Sequence, residues 1–214
     1  MGRSWPAKRD ESIRVSRGRV KDSTWCWMKE DFSSSSAAMV KYLSIVVKGS
    51  KFASIHPMFR LILKAVGKPT EAWQEAALSM YLLRLSPYAT LKMTEVAEGH
   101  QGSAKPDLEK TRKNEAEKLL KGLPENAFIV ALDETGKSFS SEVFATKLAD
   151  WNQGGRTVVF LIGGSWGLHE DVRKHADATL ALGPMTMPHN IARIVLLEQI
   201  YRAAMIQNGK MYHK

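Results

Sequence analysis

The 214-residue chain has a single cysteine, Cys26, and that shortage removes two chemistries at once. One thiol forms no internal disulfide and no cysteine-based metal site, and the six histidines are scattered rather than spaced as ligands, so redox and zinc chemistry drop out and no metal is expected. No apolar run approaches the ~20 residues that span a bilayer, and no basic start, apolar centre and small-residue cleavage site marks a signal peptide. The expectation is a soluble cytoplasmic protein with no membrane partner. Phosphate cradles are missing too: there is no G-x-G-x-x-G opening a helix and no G-x-x-x-x-G-K-[ST]. Ser165 lies in GGSWG, whose second glycine has the wrong spacing for a nucleophile elbow, which demotes a hydrolase.

Charge is present but uneven. The net charge is +9, yet residues 1–57 hold 11 Lys and Arg against 5 Asp and Glu, leaving only +3 for residues 58–214. The first segment contains the Ser33–Ser36 run and Trp25-Cys26-Trp27, and shows no sustained period until about Val40. It reads as a basic, poorly ordered extension. Three explanations compete: an arm that binds RNA, a targeting segment, or translated leader ahead of a true start at Met58. Asp10, Glu11, Glu30 and Asp31 count against an organellar transit peptide, which is usually poor in acids.

From Met58 the pattern is regular. Phe59–Val66 reads as a strand, broken by Gly67-Lys68-Pro69 before Thr70, which caps a helix running to about Leu85, where Ser86-Pro87 ends it. Thr90–Ala97 alternates as a second strand. A polar loop, Glu98–Lys105, leads to a charged helix over Pro106–Lys121. Ala127–Asp133 and Thr157–Gly164 are continuous apolar runs of the kind buried on both faces of a sheet, with a helix from Ser140 or Ser141 through Trp151 between them. Asn190–Gln207 is an amphipathic helix whose apolar face exceeds what an exposed helix needs, for a core or an interface. Strands alternating with helices mean an α/β domain with a largely parallel sheet.

Ligands of such sheets sit beyond the carboxyl ends of the strands. Three of those ends are glycine-bearing: LDETGK (Leu132–Lys137), IGGSWG (Ile162–Gly167) and LALGPMTMPH (Leu180–His189). Gly136, Gly163, Gly164 and Gly183 can let a ligand approach the backbone, and each alone can also be an ordinary turn glycine. Three on one rim favour a small-molecule pocket.

LDETGK, VVFLIGGSWGL, LALGPMTMPHNIARIVLLEQIYRA and the terminal YHK together closely resemble the RlmH family of SPOUT-class methyltransferases, which methylate N3 of a pseudouridine in bacterial large-subunit ribosomal RNA. The likeness spans Met58–Lys214. It implies a SPOUT domain with a C-terminal trefoil knot, an exception to the rule against threaded chains. It also implies a homodimer and S-adenosylmethionine bound in the knot, touching Leu132, Gly163, Leu182, Gly183, Pro184, Met185, Thr186 and Met187. The large-subunit rRNA, on the assembled ribosome, becomes the expected partner. A related enzyme acting on tRNA or another RNA site, or a non-catalytic ribosome-binding factor, are the competing readings.

Methylation at an imide nitrogen requires loss of the N3 proton to a base, or stabilisation of the anion that results. His213 and Tyr212 of the terminal tripeptide, His189, Arg193 and Arg202 are the candidates, with His213 as base and Arg193 as an anchor for phosphate or oxyanion. Blander roles compete: His189 as a helix cap, Glu198–Arg202 as an i,i+4 ion pair, and a frayed terminus unless Tyr212 and His213 dock at a dimer interface. A charge of +3 is modest for an rRNA binder, and Lys64, Lys68, Arg84 and Lys92 are the residues expected to supply a local basic patch.

Overall fold

Alternation hidden inside the apolar runs decides the architecture. The structure is a computed structural model, which describes residues 58–99 and 107–212. In β1 (Phe59–Val66), Phe59, Leu61, Leu63 and Ala65 bury on one face while Val66 buries on the other. In β4 (Val158–Ile162), Val158, Phe160 and Ile162 oppose Val159 and Leu161 in the same way. Strands apolar on both faces need helices on both sides.

The sheet is five-stranded and all parallel, in the order β2-β1-β4-β3-β5, with β2 at Ala89–Val96, β3 at Phe128–Lys137 and β5 at Ala178–Leu180. On one face lie α1 (Ala72–Leu85), α3 (Ser141–Trp151) and α5 (His189–Gln207), enclosing the larger core with Leu78, Leu148, Leu196 and Ile200. On the other, α2 (Leu108–Leu120) and α4 (Glu170–His175) cover Val159, Leu161 and Val172. A parallel sheet between two helical layers is the α/β architecture expected.

Element ends differ from expectation in ways that have local causes. Glu71, not Thr70, is the N-cap of α1, because the Gln74 side chain reaches back to accept the N–H of both Glu71 (3.3 Å) and Thr70 (2.9 Å). Asp107 caps α2 by accepting from the amides of Glu109 and Lys110, both at 3.1 Å. Pro106, expected inside that helix, lies outside the described residues, as do residues 1–57, most of the 98–105 loop, His213 and Lys214. The short α4 was not foreseen. It is started by His169, whose Nδ1 accepts from the Asp171 amide at 3.1 Å and whose Nε2 meets Glu109 Oε1 at 2.9 Å.

The largest departure is β3, which continues through Glu134-Thr135-Gly136 to Lys137. Leu180 of β5 pairs with Leu132 and again with Lys137, and the Ala181 amide donates to the Lys137 carbonyl at 3.1 Å. One strand therefore holds the same residue at two of its points. A Cβ on Gly136 would fall 2.7 Å from the carbonyl carbons of Thr179 and Leu180. This glycine serves the approach of chain to chain, where the sequence alone suggested the approach of a ligand.

Candidate functional site at the carboxyl rim of the sheet

The strand-end loops meet along the carboxyl rim. At the β3–β5 side, Thr186 Oγ1 donates to Glu134 Oε2 at 2.6 Å, joining the 132–137 and 182–187 segments across a gap. Leu132 and Leu182 are half-buried there, Met185 is 78% exposed, and a Cβ on Gly183 would meet nothing within 4 Å. Two half-buried leucines beside a glycine backbone open to its surroundings leave main-chain groups accessible at this part of the rim. Gly163 has a different local role. It is buried, and its missing Cβ makes room for Gly167, whose backbone would lie 2.8 Å away, in the turn closed by Gly167 N–H to Gly164 O at 3.1 Å. The anionic side of this region is Asp133. Burial raises its pKa, but hydrogen bonds from Thr135 and the guanidinium of Arg173 outweigh that and leave it net below the usual carboxylate range.

At the β1–β2 side the rim is polar and buried. Arg193 is 0% exposed; its Nη2 donates to the carbonyls of Val66 and Gly67 at the end of β1, and its Nη1 lies 3.8 Å from Glu95 Oε1. Among the described residues, Nε and Nη1 have no hydrogen-bond partner, nor do Asn190 Oδ1 and Glu115 Oε2. Glu115, itself buried, accepts from the Gly99 amide at 3.0 Å and sits 3.1 Å from where a Cβ on Gly164 would be. His189 is half-buried at the first position of α5, and the N-cap is Pro188, so the capping role expected for His189 is not found. Its Nε2 and Oε1 of Glu98 stand 3.3 and 3.2 Å from the Cβ position of Gly67, whose φ is +76°. Beside this cluster a cleft of about 430 Å³ is lined by Lys68, Pro69, Glu75, Leu78, Ser79 and Glu95. A second hollow, of about 320 Å³, lies at the opposite, amino end of β3 and β4, between Pro124 and Thr157. Neither includes Leu132, Gly163 or the 182–187 segment.

The remaining expected residues separate. The Glu198–Arg202 ion pair forms, at 2.6 Å. Tyr212 docks on its own helix, edge-on to Tyr201 at 5.0 Å, beneath the Arg202 guanidinium and with its carbonyl accepting from Arg202. At ~1.5 Å per residue, Tyr201 is about 12 Å along α5 from Arg193, so one chain does not bring Tyr212 to Arg193. His213 lies outside the described residues. The basic patch needs correction: Lys64 faces inward under α2, 8% exposed, and its ammonium caps that helix by donating to the carbonyls of Lys118 (3.1 Å) and Lys121 (2.8 Å). Burial pushes its pKa down. Lys68 and Lys92 are exposed, while Arg84 lies over the rings of Tyr81 and Tyr201. Sequence reasoning missed Glu95, Glu98, Glu115 and Gly67 as a group. The signal was Gly67 directly after a strand, read there only as a breaker.

Comparison with known proteins gives a consistent family. A family profile described as predicted SPOUT methyltransferase matches residues 56–213. The "Ribosomal RNA large subunit methyltransferase H" of Carboxydothermus hydrogenoformans is 41% identical over 157 residues, 72% of this chain and 99% of that protein. Proteins of the same name from Anaeromyxobacter sp. (41% over 157 residues) and Thioalkalivibrio sulfidiphilus (37% over 155 residues) likewise match 72% of this chain and 99% of their own length.

Proposed function

Since this chain belongs to the SPOUT methyltransferase family, we propose that it methylates large-subunit ribosomal RNA, at N3 of a pseudouridine on the assembled ribosome, with S-adenosylmethionine as donor. The observation that carries the reading is similarity at 41% identity across 99% of a relative named for rRNA methylation. The donor supplies an electrophilic methyl group on a sulfonium. Leu132 and Leu182 are the walls that would hold it, with Gly163, Gly183, Pro184, Met185, Thr186 and Met187 contributing backbone and rim contacts. A C-terminal trefoil knot belongs to the same reading.

The same reading takes the active form to be a homodimer. Trp73, Met80 and Leu83 form one stripe along α1, exposed by 54, 40 and 57%, and a second copy would cover it. Tyr212 and His213 would then serve the partner's site, because their own chain holds Tyr212 away from the rim. Residues 1–57 are taken as an appendage outside the methyltransferase domain of residues 58–214, in a cytoplasmic protein.

Calorimetric titration of S-adenosylmethionine into the full chain and into residues 58–214, followed by methyl mapping on ribosomes from cells lacking the modification, tests this directly. Saturable binding by both forms and one methyl on a large-subunit pseudouridine are expected. Binding without a ribosomal methyl would move the substrate to another RNA, and absence of binding would leave a non-catalytic ribosome-binding factor.

A further inference from the structure

Resting on the methyltransferase reading above, we infer that His189 accepts the N3 proton of the target base, with Glu98 and Arg193 as positioning residues around it. The placement comes from the chain itself. His189 follows Met187, the last residue of the segment taken to hold the donor, by two positions, so the two Cα atoms are within about 8 Å. Any base methylated there must come close to the first turn of α5.

Four features fit His189 to the task. Its Nε2 and Glu98 Oε1 both pack against Gly67, 3.3 and 3.2 Å from where a Cβ would stand, so the absence of a side chain there lets an imidazole and a carboxylate gather at one point of the rim. Next, the Gly67 turn is fixed by Arg193, which lies one turn further along α5 and is clamped on the carbonyls of Val66 and Gly67. Third, Pro188 provides no side-chain cap, so the first-turn N–H groups of a 19-residue helix point to whatever occupies the rim, and an imidate oxygen is a suitable acceptor for them. The buried Nε of Arg193 and Oδ1 of Asn190, which have no hydrogen-bond partner among the described residues, lie on this same turn and add an unanswered polar demand.

Charge around the ring sets its protonation. Burial, and then the positive charge of Arg193, hold the His189 pKa below the ordinary histidine value, while Glu98 pulls it up. Glu95 faces Arg193 from β2, Glu115 borders Gly164 from α2, and Lys68 follows Gly67. The resting imidazole is therefore neutral at cytoplasmic pH and free to accept. When it does, the N3–H bond breaks and its electron pair stays on N3, a new N–H bond forms on the unprotonated ring nitrogen, and imide and imidazole become anion and cation with no change in total charge. The imidazolium is compensated by Glu98, and its proton leaves to water after turnover. The pair left on N3 is the nucleophile.

The test uses the full-length protein and ribosomes lacking the modification. It measures kcat/KM for methyl transfer against pH, with NMR titration of the His189 ring and calorimetric donor binding alongside. In the native protein kcat/KM should rise with pH to one inflection, below the ordinary histidine value and coincident with the ring titration. His189→Asn should lose about 10²- to 10⁴-fold while binding the donor as before, and its residual rate should rise about tenfold per pH unit, because the imide must then ionise unaided. Glu98→Gln should move the ring titration and the kinetic inflection down together. A His189→Asn rate within threefold of native, or an inflection that persists without His189, overturns the assignment even if Glu98→Gln is informative for folding alone. Native protein that transfers no methyl to any large-subunit RNA overturns the underlying reading instead, and this assignment with it.

Discussion

A methyl group on Gly136 would have nowhere to go. The Cβ of Gly136→Ala would fall 2.7 Å from the carbonyl carbons of Thr179 and Leu180, against backbone that is itself fixed by pairing with Leu132 and Lys137. Backbone cannot rotate aside as a side chain can, so the substitution should cost about 1–3 kcal/mol, the range of overpacked cores. Urea unfolding with an unchanged slope would report it, whereas a loss under ~0.5 kcal/mol would show that the arch is not pinned on Leu180. At this scale the sequence marked the right residues and only part of their use. Gly136, Gly163 and Gly164 stood out as glycines at strand ends, which pointed to ligand approach. All three are also places into which another part of the chain fits: Thr179 and Leu180 against Gly136, the Gly167 turn against Gly163, and Val66 and Glu115 against Gly164, partners that no local pattern encodes. Arg193 shows the same limit. Helical position places it on the last helix, but only the packed structure reveals that it is fully buried and bound to the carbonyls of Val66, the last residue of β1, and of Gly67 after it.

Elements were legible where the period was long and blurred where polar residues interrupt it. All five helices but one, and all five strands, correspond to segments with recognisable patterns. The missing helix, α4, has six residues, fewer than two turns, and so offers no periodicity to read. β3 extends four residues past the expected Asp133: Glu134, Thr135, Gly136 and Lys137 look like a loop in the sequence, although they continue the strand. The charged α2 depends on its start for a defined register, since it buries only Thr111, Glu115, Ala116 and Leu119. Asp107→Ala removes a cap that accepts two amides, and about 1 kcal/mol of stability should go with it. Thermal unfolding of the variant should show a fall of a few degrees. Because α2 carries Glu115 to the rim beside Gly164, the same variant gives a second reading: faster hydrogen exchange at the Gly99 amide, which Glu115 holds. An unchanged Gly99 amide would mean that Glu115 is placed by the core and not by the cap.

The whole molecule poses the question that one chain leaves open. Most of the residues proposed to hold the donor lie at the β3–β5 end of the rim, and Tyr212 is docked near Tyr201, at the far end of a helix that begins at His189. Sequence spacing could not show this separation, because the order of strands and the folding back of the tail are set by long-range packing alone. If the tail works at a partner's rim, as the proposed homodimer requires, each active site is assembled from two chains, and the two-fold symmetry makes both sites equivalent. That arrangement has an arithmetical consequence. Take one variant crippled at the rim, such as Gly183→Val, and another crippled in the tail, such as Tyr212→Ala, each inactive alone. Random reassociation of equal amounts makes about half the dimers mixed, and each mixed dimer has one site with both defects and one with neither. Activity should therefore return to about a quarter of native after co-refolding or co-expression, measured as methyl incorporation into unmodified ribosomes. A site confined to one chain predicts no recovery at all, since every rim would keep either its own damaged pocket or its own damaged tail. In the proposed homodimer, two sets of the exposed Lys68 and Lys92 would be available to one RNA, so the modest +3 of residues 58–214 would count twice.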